Sequence, residues 1–141
     1  MAHKDGVVVW RENEIFDGTP TSGFTVRMDG AGKAGPSPME LVLLGLAGCT
    51  GADVIDILRK KRQEVTSLEV RVHGERAAEH PRKYTHVEVN FVVTGRGVDP
   101  QAVRRSIELS ETKYCSVSAT LRDSAQITTR FEVHEAQAVA S

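Results

Sequence analysis

Residues 38 to about 63 read as one long helix whose first half is almost entirely apolar, and a helix of that kind has to be buried on both sides. Its start is well marked. Ser37 is an N-cap, Pro38 takes the first helical position and Glu40 stands three residues after the cap, the pattern of a capping box. Leu41, Leu44, Gly45, Gly48 and Ala52 fall at helical spacing and Ile55 continues the stripe. Arg59-Lys60-Lys61-Arg62 then puts positive charge where the helix dipole favours it. One side of such a helix calls for a sheet, and a second subunit is one way to cover the other.

The rest of the chain supplies strands. Val7-Val8-Val9-Trp10 begins one and Gly23 to Met28 forms a second, with Asp17-Gly18 and Thr19-Pro20 read as the turn between them. Leu68, Val70 and Val72 alternate with polar residues, as do Val87, Val89, Phe91 and Val93, around a turn at Ala77 to Arg82 that contains Pro81. Asp99-Pro100 opens a second helix to about Thr112, and a short helical stretch after Cys115 leads to a last strand from Ala125 to His134. The order ββαββαβ predicts an α+β fold: an antiparallel sheet with helices packed on one face. At 141 residues one domain is expected, with residues 1–5 and 136–141 flexible.

Composition excludes several classes. Eighteen basic residues face nineteen acidic ones, so no field recruits nucleic acid or an anionic membrane. The longest apolar run, Leu41 to Cys49, falls short of the roughly 20 residues of a bilayer span. No signal-peptide stretch precedes Arg11, and a cytoplasmic location is expected. In that reducing setting two cysteines point to catalysis, redox sensing or metal before a permanent disulfide. No CxxC is present, and the five histidines, at 3, 73, 80, 86 and 134, have no metal-ligand spacing, so no metal is expected.

The segment Gly30-Ala31-Gly32-Lys33-Ala34-Gly35 matches the letters of a dinucleotide-binding loop. Its context does not match. Pro36 and Pro38 remove donors that a pyrophosphate would need, and no acidic residue ends a second strand about 20 positions on. A connector, or a mobile loop beside an active site, is the expected role.

Cys49 and Cys115 each admit the ordinary reading of a small buried core residue. A peroxide-reactive thiol would need a cation nearby to hold its anion, and Asp53, one turn after Cys49, works in the opposite sense. Arg11, Arg27 and Lys113 are the candidate cations. Arg27 is the best placed of them, because it ends a strand just before the loop that leads into the cysteine helix.

Four segments carry a resemblance: Gly23-Phe24-Thr25-Val26-Arg27-Met28-Asp29-Gly30, Ser37-Pro38-Met39-Glu40-Leu41, Ala47-Gly48-Cys49 and Lys113-Tyr114-Cys115-Ser116-Val117-Ser118. Together they resemble the OsmC/Ohr family of hydroperoxide reductases from about residue 7 to 134. The resemblance implies an intertwined homodimer without organic cofactor or metal. It implies that Cys49 attacks an organic hydroperoxide, or hydrogen peroxide less efficiently, that Cys115 resolves the sulfenic acid and that Arg27 stabilises the thiolate. A dithiol such as a lipoyl group would regenerate the enzyme. The family glutamate that holds the arginine lies ten residues before the first cysteine, where this chain has Met39; Glu40 is adjacent and is the candidate helper. Met39, and Ser116 where many relatives have proline, mark an outlying branch. That motivates an alternative expectation: a redox-responsive or ligand-binding protein with little turnover.

Overall fold

A computed structural model of the protein describes residues 3–137. The flexibility expected of the two ends falls in large part on residues 1–2 and 138–141, which lie outside the described residues. The chain forms two compact units, residues 1–42 and 43–141, whose boundary lies inside the long helix.

The first unit is a three-stranded antiparallel sheet of β1 (Gly6–Glu12), β2 (Ile15–Pro20) and β3 (Val26–Asp29), in that order. The sequence predicts two strands here; the structure has three. The segment read as a turn, Asp17 to Pro20, is part of β2, and the reversal occurs at Asn13 instead, with φ 48°. Asn tolerates the left-handed region, so it can reverse the chain without glycine.

The helix α1 (Pro38–Lys60) begins where its signals place it. Glu40 Oε1 accepts from the Ser37 backbone N–H at 2.8 Å, and Ser37 Oγ accepts from the Glu40 N–H at 3.2 Å, a reciprocal capping box. Within the second unit Leu46, Ala47, Thr50, Gly51, Val54 and Leu58 are buried, one stripe at helical spacing. A Cβ on Gly51 would lie 3.1 Å from Val70 Cγ2, so the helix passes close to the sheet there. By length and composition α1 also satisfies the requirement for a membrane span. Only one stripe of it is buried, so the burial on both sides expected from its sequence is not met within one chain, and Asp53 is hydrogen-bonded in its second half.

The second sheet has the order β4 (Glu64–Arg76), β5 (Tyr84–Arg96), β6 (Gln126–Glu135). Val87, Val89, Phe91 and Val93 of β5 are at most 2% exposed and form its core face. β4 and β5 make the expected antiparallel hairpin. β6 corrects the expectation of a wholly antiparallel sheet: it runs parallel to β5. The cause is the connection. The two strands are joined by α2 (Pro100–Leu109), a π-helical turn (Ser110–Tyr114) and α3 (Ser116–Leu121), and a crossover of that length returns the chain to the end where β5 began. Asp99 caps α2 by accepting from Gln101 N–H at 2.9 Å, with Pro100 behind it.

Candidate active site

In the second unit, Cys49 and Asp53 stand four residues apart on α1 and so share one helix face. Cys115 reaches them from the crossover. The π-helical turn that follows α2 closes with the Cys115 N–H donating to Ser110 O at 2.8 Å, and the chain then turns to extended geometry at Cys115. The sulfurs of Cys49 and Cys115 and a carboxylate oxygen of Asp53 lie within 4.8 Å of one another. The sequence separates the two thiols by 66 positions (115 − 49); the fold joins them. Both are free thiols, Cys49 half-buried and Cys115 3% exposed.

Cys115 is the N-cap of α3, and its sulfur accepts from the Ser118 N–H at 3.3 Å. Burial pushes its thiol up to about 11, the Ser118 N–H works against that, and the neighbouring Cys49 adds to it. Cys115 is therefore a neutral thiol at neutral pH. Beside it the buried Ser110 hydroxyl donates to Asp53 Oδ2 at 2.9 Å, and lies 2.8 Å from the Thr50 hydroxyl. With the Ser110 proton committed to the carboxylate, Thr50 is the donor to Ser110, so a chain Thr50–Ser110–Asp53 fixes the carboxylate. A cavity of about 360 Å³ opens beside Asp53, lined also by Ile57, Lys60, Leu109 and Tyr114.

The other two residues singled out in the sequence, Arg27 and Glu40, belong to the first unit. Asp17 holds Arg27 in a bidentate pair, Nε to Oδ1 at 2.8 Å and Nη2 to Oδ2 at 3.0 Å, and also accepts from Arg11 Nε at 2.9 Å. β2 and β3 place Asp17 directly opposite Arg27. The two guanidinium groups, Arg27 first, hold the Asp17 carboxyl at about 2. The carboxylate that holds Arg27 is thus Asp17, while Glu40 is engaged by Ser37, whose N–H keeps its carboxyl below the usual range.

The glycine-rich loop folds around an acidic side chain. Asp29, buried, accepts from the N–H groups of Ala31 at 2.9 Å, Lys33 at 3.2 Å and Ala34 at 2.9 Å. Those are the donors a pyrophosphate would need, and they lower the Asp29 carboxyl below its ordinary value, Ala34 most strongly. Gly32 lies at φ +70°, and a Cβ on Gly35 would stand 2.6 Å from Arg27 O. The loop is a clasp over the strand that carries Arg27.

A family model described as "OsmC-like protein" matches residues 30–130. The chain belongs to the OsmC-like family. Protein YhfA of Escherichia coli K12 is 45% identical over 127 residues, 89% of this chain and 95% of YhfA. The crystal structure of a hypothetical protein from Aquifex aeolicus VF5 shares 31% identity at a TM-score of 0.89, covering 97% of this OsmC-like chain and 100% of the other. The organic hydroperoxide resistance protein OhrB of Bacillus subtilis matches at a TM-score of 0.61 and 17% identity, over 93% of this chain and 98% of OhrB, a likeness of fold.

Sequence reasoning missed Asp53 and Ser110 beside the two thiols of the second unit, and Asp17 beside Arg27 in the first. Asp53 has a local signal, its i, i+4 spacing from Cys49, although its charge opposes a thiolate. Asp17 lies in a segment rich in turn-forming residues that folds as part of β2. Ser110 carries no signal, because its place depends on the π-helical turn.

Proposed function

We propose that the protein is a thiol-dependent reductase of organic hydroperoxides. The observation that carries this reading is the convergence of Cys49 and Cys115 within 4.8 Å. In the first step the Cys49 thiolate attacks the terminal oxygen of ROOH, the O–O bond breaks, and ROH leaves with a proton, so Cys49 is oxidised to a sulfenic acid. Cys115 sulfur then attacks the Cys49 sulfur, the S–O bond breaks, and water leaves carrying the Cys115 proton. The resulting disulfide is reduced by exchange with an external dithiol, a lipoyl group being one of that class.

Arg27 is assigned the activating charge through the family resemblance, and its support is the guanidinium held rigidly by Asp17. A sensor with little turnover is the alternative reading, motivated by Met39 at the family glutamate position; the Asp17–Arg27 pair supports the enzyme reading over it. Glu40 caps α1 through Ser37, and its expected role as helper to Arg27 rests on the family resemblance alone. We place the protein in the cytoplasm as a single OsmC-like domain per chain and as a homodimer, whose partner would cover exposed apolar residues such as Val7, Val8, Trp10, Phe24 and Leu44. The apolar first half of the helix that carries Cys49 favours a fatty or aromatic hydroperoxide over a small polar one.

The test is dithiol-dependent consumption of cumene hydroperoxide by the wild type and by Cys49→Ser. Loss of turnover in the variant is expected. Equal rates in the two proteins would remove the activity from this site.

A further inference from the structure

Three soft or anionic donors meet at one point of the second unit, and no step proposed above uses one of them. Cys49 and Asp53 project from one face of α1, four residues apart, the same spacing by which a helix presents two ligands to a metal in other folds. Cys115 adds a third donor from the other side, at the start of α3. We propose that the reduced protein binds one zinc ion through Cys49 Sγ, the Asp53 carboxylate and Cys115 Sγ.

The dimensions fit. A tetrahedral zinc ion with sulfur at about 2.3 Å and oxygen at about 2.0–2.2 Å sets its ligand atoms roughly 3.5–3.8 Å apart. The three atoms here lie within 4.8 Å of one another, so side-chain rotations of about 1 Å close the set. Three protein ligands leave a fourth position for water, the arrangement of an exchangeable rather than a structural zinc site. A cavity of about 360 Å³ opens beside one of the three donors, Asp53.

The surroundings fit as well. Ser110 donates to Asp53 Oδ2 and Thr50 lies against Ser110, so the carboxylate is oriented by a buried hydroxyl pair, as ligating carboxylates are. Zinc binding would release the Cys115 proton to solvent, and the two thiolates so formed select a soft or borderline ion over calcium or magnesium. The dispersed spacing of the three residues explains why the sequence predicts no metal site. The proposal does not depend on the peroxidase reading, but the two meet in one consequence. A thiolate shared with zinc is not free to attack a peroxide, and a disulfide cannot hold zinc.

The experiment titrates the full-length reduced protein with zinc against a chromophoric chelator, and with cobalt followed by absorption, with no peroxide present. One equivalent per chain and thiolate-to-cobalt charge-transfer absorption are expected. Binding should vanish in Cys115→Ser and weaken sharply in Asp53→Asn, and Ser110→Ala should lose roughly tenfold to a hundredfold in affinity. Wild type oxidised to its disulfide should bind no zinc at this site, a comparison that requires no substitution to fold. Zinc affinity unchanged in Cys115→Ser or in the oxidised protein, or cobalt binding without thiolate charge transfer, would overturn the proposal. A chain that binds zinc yet consumes no hydroperoxide refutes only the activity, and the converse result refutes only the metal site.

Discussion

Replacing Cys115 by serine should remove an alkaline instability from the reduced protein. Burial pushes this thiol from its ordinary 9.0 to about 11 in the fold, whereas in the unfolded chain it ionises near the ordinary value. A raised folded-state value favours the native state while the thiol stays protonated. The contribution is therefore complete below pH 9 and is lost as pH rises to about 11. Across that window the native chain keeps a proton that the unfolded chain has released, so the unfolding free energy falls by about 1.4 kcal/mol per pH unit. The whole effect is roughly 2–3 kcal/mol, with solvent near the half-buried Cys49 favouring the lower figure. Serine does not titrate here and still offers an oxygen to the Ser118 N–H, so the cap of α3 survives. Urea unfolding with a phosphine reductant, from about pH 8 to 11, measures both proteins. The difference between them cancels the titration of lysines and tyrosines. A difference that stays flat over the window would mean that Cys115 ionises as freely in the fold as outside it, and the argument for a buried neutral thiol would fail.

Asp17→Asn should lower hydroperoxide turnover on the order of tenfold or more by freeing the guanidinium that Asp17 holds; unchanged kcat/KM in a folded variant would remove Arg27 from the mechanism. Its carboxyl, held at about 2 against an ordinary 3.8, contributes stability above the ordinary value that is lost as pH falls through that interval, and acid unfolding of the variant should lack this component. Gly35→Ala should lower stability by about 1–3 kcal/mol, because its Cβ would lie 2.6 Å from the Arg27 carbonyl oxygen and the backbone must yield; an unchanged Tm would contradict the clasp. Phe91→Ala, at the centre of the core face of β5, should cost about 3–5 kcal/mol in chemical denaturation.

Local rules carried much of the architecture. The capping box at Ser37 and Glu40, the Asp99-Pro100 start of α2 and the alternation along β4 and β5 are written in neighbouring residues, because capping, proline geometry and side-chain period act over a few positions. The first sheet was less legible. Ile15 to Pro20 is rich in turn-forming residues, yet pairing on both sides with β1 and β3 makes it a strand, so tertiary context overrode propensity.

The sequence by itself determined an α+β chain, a capped apolar helix carrying Cys49, and a family pattern that marked Cys115 and Arg27. Only the tertiary structure decided which groups meet: Cys115 with Cys49 and Asp53 through a π-helical turn, Asp17 rather than Glu40 on Arg27, and β6 parallel to β5. The physical reason is one of range. Caps and strand periods are set by bonds a few residues long, whereas a site joined across 66 positions (115 − 49) exists only once burial and strand pairing have closed the loop between its parts.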